Sequence, residues 1–482
     1  MPKADILILI AGRLGAALIA LLTLRAVTTF LLPGQYGELA LLIALQMFCG
    51  LVLINPVGQH INLHTHAWWD EGSLWARLKK YRLYVLGVAC IGAVITFGLG
   101  IRHPNLELLA NCFAVFFMVL FATWNATLVS MLNMLGFRGA SVLWTIATAA
   151  VGAAASIVLV FWHPTGIAWF LGQCIGMAVG AFGAHLALAV RTPPAPSTQR
   201  APTLFERSTI STYLVPLAMA TVMMWLQLSG YRFIVEWKWG LTRLGLLALG
   251  LQLAAQIWGL VESFSMQFLY PSFYRRINDD KTDAGTMLAM SDLLNTIAPV
   301  YLVLAGFIVA GAPNFMKLLV APQYFESIKF LYLGAVIELC RGLANVMSNA
   351  AQAKHATGTL VFPYAIGALL TIGMIQLMDS DPSAIEWVGV AMLAGVLGMA
   401  WAMYIGMRRL VRFRIDCTRW CAAVAVMLFL GTTSRWGPSL SGVLPNIAML
   451  LILSAFVSIT LTALLRGNPA VTRLLGVNLK GI

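Results

Sequence analysis

The sequence predicts an all-α integral membrane protein with about fourteen transmembrane helices, and three observations carry that prediction. Apolar residues make up 60% and charged residues 10% of 482 positions, against roughly 45–50% and 25% in soluble domains. The apolar residues fall into stretches long enough to cross about 30 Å of hydrocarbon at about 1.5 Å per residue. The 31 Lys and Arg residues gather on alternate connections between those stretches, the signature of positive-inside topology. That bias accounts for the net charge of +13 and leaves no reason to invoke nucleic acid.

In chain order the predicted spans are 6–32, 38–60, 83–101, 108–132, 140–162, 166–190 and 210–233, then 241–270, 290–312, 327–352, 359–378, 385–407, 417–433 and 443–465. The first follows a basic residue but lacks a small-residue cleavage site and contains Arg13 and Arg25, so it reads as a retained helix. With the N-terminus placed in the cytoplasm, 21 cations lie inside and 7 outside. Arg77, Lys79, Lys80 and Arg82 follow the second span, and Arg408, Arg409, Arg412 and Arg414 follow the twelfth. Both termini are therefore expected in the cytoplasm.

The sixth connection, RTPPAPSTQRAP from Arg191 to Pro202, is the long Pro-rich polar one and reads as a linker. It divides the chain into a six-helix bundle over 1–190, a cytoplasmic linker over 191–209, a second six-helix bundle over 210–410, and two further helices with a cytoplasmic tail over 411–482. The halves share a pattern. Arg25 is followed by Gln35-Tyr36-Gly37-Glu38-Leu39-Ala40, Arg232 by Arg243-Leu244-Gly245-Leu246-Leu247-Ala248, and each runs into a helix with a glutamine, Gln46 or Gln252. Because six is an even number, such halves share one orientation, as in transporters built from parallel repeats.

Three places carry a resemblance to a known family: the first-helix arginine followed by Leu32-Pro33-Gly34-Gln35-Tyr36-Gly37-Glu38, Tyr231-Arg232-Phe233-Ile234 leading to Leu244-Gly245, and Val320-Ala321-Pro322-Gln323-Tyr324-Phe325. With its helix count and loop spacing over about residues 5–465, the chain resembles the polysaccharide flippases of the MOP exporter superfamily, the O-antigen and exopolysaccharide translocase group. The resemblance implies two six-helix bundles facing each other across a central cavity, with the last two helices appended. It implies a bacterial inner-membrane location and a polyprenyl-pyrophosphate-linked oligosaccharide as substrate, moved to the outer leaflet for surface polysaccharide or lipopolysaccharide synthesis. The partners it implies are polysaccharide polymerase and chain-length components. Tyr231 stands where this group often carries an acid, which removes the adjacent ion partner that Arg232 would have there.

The candidate chemistry is ionic. Arg13 and Arg25 each lie about 9 Å from the middle of the first span, on opposite sides of it, and about 120° apart around its axis. A charge within the span is costly, about 2.5–3.5 kcal/mol at a helix centre on insertion scales. Either each snorkels to its nearer interface, or both offer guanidinium forks to a pyrophosphate. Arg232 and Arg341 join them as candidate substrate ligands. Glu338 and Arg341, spaced i, i+3, share one helix face and form either a self-neutralising pair or a pair that opens when an anionic substrate takes the arginine. Glu262 and Glu338 are candidates for ion coupling. Asp292 is a weaker one, because it stands at the predicted start of a helix where an acid suits the dipole.

His60, His64 and His66 near Trp68 and Trp69 read as an interfacial belt, since no acid or cysteine completes a metal site. Gly172, Gly176 and Gly180 have the spacing of close helix packing. The seven cysteines form no CxxC and read as small core residues. Neither a large polar outer loop nor a His/Asp constellation is present, which weighs against a membrane-embedded polysaccharide polymerase or acyltransferase. No enzymatic activity and no cofactor are expected. A multidrug exporter of the same superfamily is the other alternative; it favours cationic substrates, which arginines oppose.

Overall fold

The computed structural model describes residues 3–100, 106–192, 215–280, 282–354, 356–436 and 442–475, so most of the predicted 191–209 linker lies outside the described residues. Among the described residues the chain is helical without strands, and twelve segments are long and apolar enough to cross a membrane. One of them, Val215–Asp279, is broken at Gly240 (φ 79°) and is long enough for two crossings, and Cys417–Trp436 is a shorter apolar helix, which is compatible with fourteen spans. The described residues form two compact units, Met1–Glu236 with Gly240–Gly245, and Trp237–Trp239 with Leu246–Ile482.

The N-terminal unit contains α1 (Lys3–Phe30), α2 (Pro33–Phe48), a π-helical turn at Cys49–Ile54, α3 (Asn55–Asp70), α4 (Leu74–Gly100), α5 (Leu106–Met134), α6 (Arg138–Trp162), α7 (Gly166–Ala189) and α8 (Val215–Trp225). A second π-helical turn, Leu226–Gly230, leads into α9 (Tyr231–Phe268), whose first residues belong to this unit. Glycines set a close contact within it. A side chain at Gly172 would strike Ser156, one at Gly176 would strike Gly152, and one at Gly180 would strike Thr148, so α6 and α7 meet backbone to backbone. The α6–α7 hydrogen bonds follow from that approach: Ser156 Oγ donates to Trp169 O (2.9 Å) and Gln173 Nε2 donates to Ser156 Oγ (3.0 Å). α1 leans on α6 through Gly12 and Gly15, while Leu14, Leu18 and Leu22 on another of its faces are exposed, as suits a helix in lipid.

Two short turns end helices with glycine in the left-handed region. Gly72 (φ 68°) follows α3, with Ser73 N donating to Trp68 O (3.0 Å), and Gly136 (φ 88°) follows α5, with Phe137 N donating to Leu132 O (2.8 Å). Both are Schellman-type ends that satisfy carbonyls a helix otherwise leaves open. Around the first turn, Ile61, Trp68, Leu78, Tyr81, Leu128 and Leu188 make a buried cluster that joins α3, α4, α5 and α7.

The C-terminal unit contains the rest of α9, then α10 (Tyr270–Asp279), α11 (Asp283–Leu319), α12 (Ile328–Ala353), α13 (Val361–Leu377), α14 (Ile385–Leu410), α15 (Cys417–Trp436), α16 (Val443–Leu465) and α17 (Pro469–Leu475). α11 is its axis, packed on α12, α15, α16 and α17 and buried over most of its length. Gly306 admits α15 so closely that a Cβ there would lie 2.9 Å from Met427 Cα. α12 packs on α11 and α14 and carries the polar residues described next.

Candidate functional site

In the N-terminal unit, Arg13 lies in the middle third of α1 and Arg25 in its last two turns, and both side chains are exposed. Arg232 is placed differently. It is 8% exposed and its Nη1 donates to Ala40 O of α2 (3.0 Å), while its Nε finds no hydrogen-bond partner among the described residues. One turn along α2, Ala44 O accepts from Trp225 Nε1 (2.9 Å). α8 and the start of α9 thus fasten to two successive turns of α2, and the Arg232 guanidinium is spent largely inside the unit. Close approach of the backbones permits this, because a side chain at Gly37 would strike Leu241 and one at Gly245 would strike Pro33.

In the C-terminal unit, Arg341 is the centre of an ionic cluster. Its Nε donates to Glu338 Oε2 (2.6 Å) and its Nη2 donates to Glu262 Oε2 (2.8 Å). Asn345 Nδ2 donates to the other Glu262 oxygen, Oε1 (3.2 Å). Glu262 comes from α9 and the other three from α12, where residues 338, 341 and 345 lie on one face. With both carboxylates ionised and Arg341 charged, the cluster holds two negative charges around one positive one at membrane depth. A single proton or monovalent cation would balance it. Gly342 beside it is tightly met: a Cβ there would lie 2.9 Å from the Trp258 indole and 3.0 Å from the Tyr301 ring, so these aromatics wall the cluster. Asn349 and Gln352 continue the polar face, and Tyr274 Oη hydrogen-bonds to both (2.8 Å each).

The three ionic candidates Glu262, Glu338 and Arg341 are therefore brought together, with Glu262 as the cross-helix partner that i, i+3 spacing alone does not reveal. Asp292 requires a correction. α11 begins at Asp283, capped by Thr282 Oγ1, which accepts from Gly285 N (3.0 Å), so Asp292 stands well inside the helix. It is 1% exposed and clamped by Arg473 of α17, through Nε (2.8 Å) and Nη2 (2.6 Å), and by Arg276 Nη1 of α10 (2.8 Å). The hydrogen bond from Arg473 to Asp292, with the acid's charge, raises the Arg473 pKa above its ordinary value. Three residues on, Asn295 Oδ1 accepts from Asp416 N (2.9 Å) and from Trp420 Nε1 (3.2 Å), and its Nδ2 donates to Arg414 O (2.9 Å). Asp292 and Asn295 thus anchor the segment before α15 and the C-terminal α17 onto α11. This is a structural role, legible in hindsight from two polar residues spaced i, i+3.

The His60 and His64 rings lie 4.3 Å apart between centroids, tilted by 37°, and His64 stacks on Trp68 at 5.7 Å. Among the described residues no group of three His, Cys, Asp or Glu side chains is placed to hold a metal.

Fold and membrane-depth charges together define a multi-pass membrane protein with the architecture of MOP-superfamily transporters. No protein-family model matches the sequence and no curated protein matches it. Among solved structures, the lipid II flippase MurJ in an inward closed conformation matches with a TM-score of 0.67 at 12% identity, over 96% of this chain and 99% of that one. An outward-facing multidrug resistance MATE family transporter of the MOP superfamily matches with a TM-score of 0.55 at 13% identity, over 85% of this chain and 96% of that one. A MOP-superfamily transporter from Pyrococcus furiosus, described as having a binding pocket of reverse polarity, matches with a TM-score of 0.50 at 13% identity, over 94% and 97%. These likenesses establish the fold.

Proposed function

We propose that the chain is a flippase that moves a polyprenyl-pyrophosphate-linked oligosaccharide repeat unit from the cytoplasmic to the outer leaflet of a bacterial inner membrane, for exopolysaccharide or O-antigen synthesis. The observation that carries this reading is α1, which holds two exposed guanidinium groups within a membrane-length helix. Such groups are expensive in hydrocarbon and suited to an anionic, bidentate ligand such as a pyrophosphate. The near full-length likeness to a lipid II flippase supports a lipid-linked substrate. Arg13 and Arg25 are the first ligands in this reading. Arg341 becomes available when a proton or cation replaces it at Glu262 and Glu338, which couples ion movement to substrate capture during alternating access. Arg232, bonded to Ala40, contributes only if the start of α9 moves away from α2. Polymerase and chain-length proteins would receive the product. The likeness to MATE transporters leaves multidrug export as the second reading, and the exposed arginines oppose a cationic drug.

Purified protein in liposomes tests this function. A lipid-linked oligosaccharide placed in one leaflet is expected to redistribute with its mass unchanged. A lengthened glycan or a cleaved pyrophosphate would instead establish an enzyme, and redistribution of a cationic drug alone would establish an exporter.

A further inference from the structure

The N-terminal unit contains a cavity of about 540 Å³ where α2 bends into α3, walled by α4, α5 and α7. Small-molecule sites run from about 300 to 1,000 Å³. Its origin is local. Pro56 has no N–H to donate, and the chain shifts into a π-helical turn in which Asn55 N–H donates to Gly50 O, five residues back. Tyr84 Oη donates to the Leu53 carbonyl in that turn (2.5 Å). The bend opens a space, and small residues keep it open: a Cβ at Gly50 or at Gly58 would meet no atom within 4 Å.

Among the described residues no charged side chain lines this space. Five amides do, Gln46, Asn55, Gln59, Asn62 and Asn125. Asn55, Gln59 and Asn62 recur at i, i+4 and i+7, so α3 presents them as one row with Gly58 beside them. Across from the row, α5 adds the hydroxyls of Thr123 and Ser130, and α4 adds the Tyr81 phenol. The side-chain amides of Gln46, Asn55 and Asn62 make no hydrogen bond among the described residues, and Gln46 and Asn55 are half-buried. A row of amides, each both donor and acceptor, beside hydroxyls and an aromatic ring matches a ligand that is itself dense in hydroxyl and amide groups and carries no charge. A pyrophosphate would find no cation here and a cationic drug no acid, and desolvating an ion without a partner is costly.

We propose that this cavity is a glycan subsite, which binds an uncharged sugar of the lipid-linked oligosaccharide while the arginines take its pyrophosphate. The proposal rests on the flippase reading above and adds to it where, and through which residues, the sugar is recognised.

The test uses the full chain in nanodiscs and two probes: a polyprenyl pyrophosphate without sugar, and the same lipid bearing a neutral N-acetylhexosamine disaccharide. Binding is measured for wild type, for Gly58→Leu, and for the double variant Gln46→Ala/Asn55→Ala. Gly58→Leu projects into open space and replaces a poor helix former, so the helix is retained while the cavity fills. Wild type is expected to bind the glycosylated lipid about tenfold tighter than the bare one, as a few added neutral hydrogen bonds allow. Both variants are expected to bind the two lipids alike, with bare-lipid affinity unchanged. Equal affinity of wild type for both lipids, or a preference that survives Gly58→Leu, overturns the subsite and leaves the flippase reading standing. If wild type binds neither lipid, the flippase reading fails and the subsite fails with it.

Discussion

An arginine in a membrane helix is tolerated when its five N–H groups find acceptors, water or a ligand. The arginines of this chain use different solutions. Arg341 is held by two carboxylates and Arg232 by a helix carbonyl, whereas Arg13 makes no hydrogen bond to a described residue. Arg13 is therefore the side chain whose loss affects the protein least and the proposed substrate most. Arg13→Lys keeps a charge but loses the planar fork, so transport should fall, and Arg13→Ala should lower it further. Transport and membrane abundance are measured together, with Arg435→Ala as a control. Wild-type rates in both Arg13 variants would reduce Arg13 to a snorkelling residue. The opposite behaviour is expected at Arg341. Arg341→Ala strands two carboxylates that are only 16% and 11% exposed, a loss of about 3–5 kcal/mol by analogy with other broken buried pairs. Adding Glu262→Gln and Glu338→Gln to Arg341→Ala should restore abundance but not ion-coupled transport. If Arg341→Ala alone reaches wild-type abundance and melting temperature, the cluster is not an electrostatic unit.

At the scale of helices, Asp292 shows what one short element does. Without α17, a carboxylate 1% exposed would keep, among the described residues, Arg276 as its one ion partner. Arg473→Ala should therefore cost about 1–2 kcal/mol, the low end for a charged hydrogen bond because Arg473 is itself 43% exposed. The melting temperature in detergent reads this out, with Arg466→Ala as a control, and equal melting of the two variants would remove α17 from the stabilising set. The helices themselves were legible because hydrocarbon demands long apolar runs, and Gly172, Gly176 and Gly180 announced the α6–α7 contact because only glycine allows that approach. Helix ends were less legible. Spans predicted at 38–60 and 83–101 belong to helical segments reaching Asp70 and starting at Leu74, since hydropathy marks what lies in lipid and not where a helix stops. The same limit misplaced Asp292, although Thr282 ahead of Asp283 was a cap signal. In the ionic cluster, Glu338 with Arg341 followed from spacing on one helix. Glu262 came from another helix, and no periodicity within α12 can name a partner on α9.

At the scale of the whole molecule, orientation is a property of charge distribution rather than of any one contact. The 21-to-7 split of cations acts during insertion, when a cationic loop is harder to translocate than a neutral one. It predicts that both termini and the connection around residue 197 face the cytoplasm while the connection around residue 439 faces out. Position 197 follows the sixth span and position 439 follows the thirteenth, so one is even and the other odd in the series. Single cysteines introduced as Ser197→Cys and Ser439→Cys, on a background lacking the seven native cysteines, are exposed to an impermeant maleimide on intact cells. Labelling is expected at 439 and, only after the membrane is permeabilised, at 197. The reverse pattern would invert the molecule, put Arg408, Arg409 and Arg412 outside, and remove the basis for export from the cytoplasmic leaflet.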